Sequence, residues 1–108
     1  FTITGRVYVN KLAAFCSETL VGATATIEMG VAGNTADIEA QIVATNLVLN
    51  DWWTGTGSPT LSGQVNTPQI DVAVASDIII TVATAAVTDG TLVIDVWYEP
   101  LTSDGRLV

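Results

Sequence analysis

Apolar and polar residues alternate along most of this chain, in short runs separated by clusters of Gly, Thr, Asn, Asp and Ser. A period of two puts successive side chains on opposite faces of an extended backbone, so each run reads as a strand with one buried face. Over residues 3–9, Ile3, Val7 and Val9 share one face while Thr4, Arg6 and Tyr8 share the other. Over residues 23–29, Ala23, Ala25, Ile27 and Met29 turn inward against Thr24, Thr26 and Glu28. Residues 36–43 set Ala36, Ile38, Ala40 and Ile42 against Asp37, Glu39 and Gln41. Ile38 and Ile42 also fit a helical spacing, but Gly33-Asn34 and Thr45-Asn46 on either side are turn residues, which favours a strand. Residues 47–53 read as a strand or strand end, and residues 70–74 as a short strand carrying Ile70, Val72 and Val74, stopped by Ser76-Asp77. Between them, residues 54–67 hold Gly55, Gly57, Ser58, Pro59, Ser62, Gly63 and Asn66, the composition of a long mobile loop.

The last third carries the strongest pattern. An apolar run over residues 78–87 is followed by Thr88-Asp89-Gly90 and an alternating run over residues 91–98. Asp89-Gly90 suits a two-residue hairpin loop, and Gly90 equally suits the left-handed bulge residue of a three-residue loop. The three-residue loop is preferred because it pairs Ile80 with Tyr98, Val82 with Val96 and Thr84 with Ile94, gathering large apolar side chains on one side. Val93 and Trp97 then face away from the core. Seven or eight strands at this spacing predict an all-β, antiparallel β-sandwich, with a jelly roll among its forms. No internal repeat points to a β-helix or propeller, and 108 residues suffice for one domain with its own core.

Composition adds association to this picture. Hydrophobic residues make up 49% of the chain and charged residues 13%, about half the usual charged share. So little charge leaves apolar surface exposed on a monomer, and burial against other copies hides it. Eleven acids against Arg6, Lys11 and Arg106 give a net charge of -8, which repels nucleic-acid phosphates and anionic lipid alike. The longest apolar run is about half a membrane span. The chain begins without Met or a signal-peptide pattern, so it is expected to be the C-terminal part of a longer one.

Candidate chemistry is sparse. There is no histidine, which removes His-based triads, acid–base pairs and metal sites. Cys16 has no disulfide partner and no activating base, and reads as a buried, inert thiol. Asp37, Glu39, Asp71, Asp77, Asp89, Asp95, Glu99 and Asp104 supply carboxylates, but most lie on the polar side of a strand or in a turn, where they are solvated. None forms the D-x-D-x-D-G loop of a calcium site. Gly30 to Thr35 lacks the third glycine and the Lys-Ser/Thr of a phosphate loop, and reads as a tight turn. No catalytic, cofactor or metal residue is therefore expected. Trp52 and Trp53 are adjacent and must point to opposite faces, so one ring stays outside the core. Trp52, Trp53, Val93 and Trp97 are the candidates for an oligomer interface, where Trp is enriched. An outward ring beside a Gly-rich loop also suits stacking on a sugar.

Two segments carry a resemblance. The run Ala23-Thr-Ala-Thr-Ile-Glu-Met-Gly-Val-Ala-Gly-Asn-Thr35, and the ending Val96-Trp-Tyr-Glu-Pro-Leu-Thr-Ser-Asp-Gly105 after an Ile-Ile-Ile-Thr-Val-Ala-Thr strand and a Thr-Asp-Gly turn, resemble tailed-bacteriophage virion proteins, namely capsid decoration or head-fibre-like domains. The resemblance implies a non-enzymatic β domain on the particle exterior, assembled as a homotrimer, with other copies and capsid proteins as partners. A receptor- or carbohydrate-binding module of a tail fibre is the alternative.

Overall fold

The computed structural model describes residues 1–53, 60–62 and 69–108. In chain order the strands are β1 (Ile3–Thr4), β2 (Val7–Val21), β3 (Thr26–Val31), β4 (Asn34–Val43), β5 (Asp51–Trp53), β6 (Thr60–Ser62), β7 (Gln69–Val74), β8 (Ile79–Ala83), β9 (Asp89–Pro100) and β10 (Arg106–Leu107), with one 3-10 turn at Ala44–Asn46. The chain is all-β, and every strand pairing among the described residues is antiparallel.

The fifteen-residue β2 organises the larger sheet. Along one edge it pairs with β9, from Val7 opposite Pro100 to Val21 opposite Asp89. Its other edge is shared by β7, at Val7 to Lys11, and β5, at Ala14 and Phe15, with β6 beyond β5. The second sheet runs β4-β3-β8, and β1 pairs with β10 in a separate ribbon. Between the two main sheets lie Val7, Val9, Leu12, Ala14 and Cys16 of β2, Ile27 and Met29 of β3, Ile38, Trp53 and Val74. This is a sandwich; a five-and-three division of strands does not by itself define a jelly roll.

The alternation over residues 3–9 is interrupted at Gly5, where φ is +63° and a Cβ would strike the side chains of Thr102 and Asp104. Only glycine takes that conformation without strain, so the run divides into β1 and the start of β2. The rest of β2 breaks strict alternation. Between Val9 and Lys11 it holds one residue more than β9 does between Tyr98 and Trp97. This bulge at Asn10 shifts the inward set from Val7 and Val9 to Leu12, Ala14 and Cys16.

Ile27 and Met29 of β3 and Ala25 just before it are buried as the pattern requires, but Ala23, farther ahead of the strand, is exposed. In β4 the expectation holds for Ile38 and fails for Ala36 and Glu39. Ile27 pairs with Ile42 and Met29 with Glu39, so β4 carries an extra residue that turns Glu39 to the core side and leaves Ala36 exposed. The tight turn expected near Gly30 to Thr35 joins β3 to β4. The loop expected over residues 54–67 falls, for 54–59 and 63–67, outside the described residues, while Thr60–Ser62 pairs with β5 instead of belonging to a loop.

The terminal hairpin is not formed. β8 pairs with β3, Ile80 opposite Met29 and Val82 opposite Ile27, while β9 pairs with β2. Each strand thereby gains a partner with a deeply buried face, which the local hairpin does not offer. Gly90 does have positive φ, at +107°, but it serves a different irregularity: it lies between Asp89 and Thr91, opposite the extra residue in β2 between Glu18 and Val21.

Candidate functional site

The outer face of the larger sheet follows from the same registers. Phe15 stands between Trp52 of β5 and Val93 of β9; one step along, Ala13 faces Asp95; then Lys11 faces Trp97; then Tyr8 stands between Ala73 of β7 and Glu99. Tyr8, Phe15, Trp52 and Trp97 therefore lie on one surface, spread over roughly 20 Å at the ordinary strand rise. Phe15 and Trp52 meet with ring centroids 4.8 Å apart at 54°, a tilted contact that suits the ring quadrupoles. Trp97 is 51% exposed and Val93 45%. Ala13 is small enough to lie hidden at the centre of this face, at 6%.

Of the four residues expected from the sequence, the fold brings Trp52, Val93 and Trp97 to this face. Trp53 does not join them. It is 2% exposed and packs in the core, and its indole Nε1 finds no hydrogen-bond partner among the described residues. The adjacent tryptophans divide between the faces as an extended chain requires. Tyr8 was read as outward but not singled out, while Lys11 and Phe15 were missed because the bulge at Asn10 hides the rest of β2 from a period-two reading. Their signal was the displaced apolar series Leu12, Ala14, Cys16.

Charge surrounds the rings. Partial burial, the adjacent carboxylate of Asp71 with its hydrogen bond, and Glu99 push the Tyr8 phenol above its ordinary range. Lys11, Asp95 and Glu99 stand between or beside the aromatic positions. The face thus carries aromatic residues with polar groups between them, suited to contact with another surface.

Elsewhere several carboxylates have structural partners. Glu18 accepts a hydrogen bond from the Thr91 hydroxyl at 3.0 Å, and Asp77 accepts from the Ile3 N–H at 2.8 Å. Glu28 accepts from Gln41 and Thr35. The buried Asp51 accepts from the Val48 N–H. Glu39 differs. It is 3% exposed, its Oε2 has no partner among the described residues, and burial raises its pKa to about 8. Cys16 is a free, fully buried thiol whose Sγ points at the Glu18 and Leu47 carbonyls. Burial pushes its pKa up, which opposes thiolate formation. Among the described residues, no three of His, Cys, Asp and Glu stand close enough to hold a metal ion. A search of family models, of curated proteins and of solved structures finds no match to this chain in any of the three.

Proposed function

We propose that this chain is a non-enzymatic structural domain of the exterior of a tailed-phage particle, working as a homo-oligomer. The observation that carries the self-association is the outward face on which Trp52, Val93 and Trp97 converge, in a molecule with eleven acids, three bases and little other charge to cover its surface. Exposed apolar patches rimmed by polar groups mark contact surfaces. The place on a phage particle rests on the resemblance of residues 23–35 and 96–105, which also implies three copies. Light scattering at micromolar concentration is expected to give a multiple of the 11.2 kDa chain mass, and a monomer overturns the reading. Imaging native particles with the protein labelled tests its location.

One observation favours a second reading. Tyr8, Phe15, Trp52 and Trp97, with Lys11, Asp95 and Glu99 among them, combine the aromatic and polar groups that a sugar-binding surface uses. A glycan array separates the two: binding lost in Trp97→Ala supports the sugar-binding surface, and a blank array favours the structural role. In either case incubation with glycans, esters and peptides is expected to give no turnover, and a robust turnover abolished by one Asp or Glu substitution overturns the non-enzymatic reading.

A further inference from the structure

Two carboxylates are buried among the described residues, and they are provided for differently. Asp51 accepts from the Val48 N–H, while Glu39, at 3% exposure, keeps its Oε2 without a partner. Such a group is tolerated in an apolar interior only while it is neutral, because an unpaired buried charge is costly. Burial, with no charged neighbour contributing, raises its pKa to about 8. No counter-charge is at hand: Arg6, Lys11 and Arg106 are the only bases, and none lies in β3, β4, β7 or β8. Met29 of β3 is the register partner of Glu39, Ile80 of β8 lies beyond it, and β7 borders β4 with the uncharged run Val72 to Ser76. The other titratable groups on these elements are engaged elsewhere or face solvent. Glu28 holds Thr35 and Gln41, Asp71 is bonded to Tyr8, and Asp77 accepts the Ile3 N–H. Asp37, two residues along β4, is exposed. From the opposite sheet, Cys16 points at the Glu18 and Leu47 carbonyls and Tyr98 is partly buried against the core.

The strand that carries Glu39 is weakly held at that point. Among the described residues β4 pairs with β3 alone, at the edge of the three-stranded sheet. The pair Met29 and Glu39 stands isolated, with register shifts on both sides, between Ile27 and Met29 and between Met29 and Val31. Each shift interrupts the ladder hydrogen bonds. What keeps the segment down is Ile38, which is 7% exposed and belongs to the core. A short, interrupted edge segment of this kind opens locally at a lower free energy than the whole fold.

We propose that β4 is a pH-operated flap: when Glu39 ionises, the segment from Asp37 to Gln41 lifts from the core and hydrates the carboxylate, while the β2–β9 ladder stays paired. Val31, Asp37 and Ile38 form one wall of a cleft of about 110 Å³ whose other wall is Val72 to Ser76, so lifting the segment bares Val72 and Val74 of β7. An acid that ionises more readily in the open form than in the closed one favours opening as pH rises. The closed form is fully favoured below pH 4.5, the opening constant climbs about tenfold per pH unit towards pH 8, and it levels off above that. The flap is independent of the phage-particle role and the self-association proposed above.

Amide hydrogen exchange read residue by residue from pH 5 to 9, corrected for the intrinsic pH dependence of exchange, tests it in the wild type and in Glu39→Gln. Wild-type amides of residues 37–41 are expected to give opening constants that climb about tenfold per pH unit up to pH 8. These constants are expected to exceed those of the β2–β9 ladder by roughly a hundredfold or more. In Glu39→Gln the climb is expected to vanish while β4 remains the faster strand. Opening constants in β4 equal to those of the ladder mean that Glu39 is released only by global unfolding, and overturn the flap. A climb that survives in Glu39→Gln, or none in the wild type, does so too. Should Glu39→Gln not fold, the carbon-13 shift of the wild-type Glu39 carboxyl decides. A midpoint well above 4.5, accompanied by shifts in β4 and not in β2 or β9, supports the flap, and a midpoint at the ordinary 4.5 overturns it.

Discussion

The two faces of β2 and its neighbour β5 carry similar residues to opposite ends. Inward, Val7, Val9, Leu12, Ala14 and Cys16 meet Trp53 in a dry core; outward, Tyr8, Lys11 and Phe15 share a surface with Trp52 and Trp97. Trp52 and Trp53 are covalent neighbours with the same side chain, and only the alternation of the strand separates them. Residue type alone therefore says little about energetic weight here, and the facing direction says most.

Truncating the two tryptophans tests this most severely. Trp53→Ala is expected to lower unfolding free energy by about 3–5 kcal/mol in denaturant titration, because a buried ring leaves a cavity. Trp52→Ala should cost about 1 kcal/mol, close to an aromatic pair with Phe15. Equal losses break the comparison.

Next in size is the effect of pH on the core. Glu39 has a folded pKa of about 8 against an ordinary 4.5, so the folded state binds its proton more tightly than the unfolded state. Its neutral form is fully favourable below pH 4.5, stability falls as pH rises from 4.5 to about 8, and the loss levels off above that. The change amounts to a few kcal/mol at most. Glu39→Gln, which cannot ionise, is expected to flatten that slope in chemical denaturation followed from pH 4 to 9. An unchanged slope would place the pH dependence elsewhere.

Gly90→Val should cost about 1–3 kcal/mol, through positive φ and a Cβ only 2.6 Å from the Thr19 carbonyl oxygen. A wild-type melting temperature would remove the strain argued for that position. The smallest effect is expected for Trp97→Ala, within about 0.5 kcal/mol in a dilute monomer, with any larger consequence confined to association or ligand binding.

How much of this was legible in the sequence depended on whether a feature needed a partner. The facing of Val93 and Trp97 came out correctly although β9 was assigned the wrong neighbour, since alternation fixes the face whatever strand lies alongside. The partner did not come out, because Thr88-Asp89-Gly90 supplies a strong local turn signal while the competing partners, β2 and β3, lie far away in sequence. β2 itself was hidden by one residue, Asn10, whose bulge displaces an otherwise regular apolar series. Glu39 was misplaced for the same reason, by the extra residue in β4. The aromatic face was therefore partly visible: alternation placed Tyr8 and Trp97 outward and required one of Trp52 and Trp53 to join them, while Phe15 lies beyond the bulge.

The pairing of β2 with β9, which sets Tyr8 opposite Glu99, also governs how the molecule comes to exist in time. The longest ladder joins two segments near opposite ends of the sequence, so its loop-closure entropy must be met before most of its contacts form, and such topologies fold in milliseconds to seconds. On a ribosome the delay is longer: β2 emerges first and the edge that β9 pairs waits roughly ten seconds for that strand to be synthesised. Throughout that interval one edge of the uncharged segment from Leu12 to Cys16 lacks the strand that pairs it in the folded chain. Whatever shields it then, a chaperone or β2 strands of sister chains, shares in deciding how much of the newly made protein matures and how much aggregates.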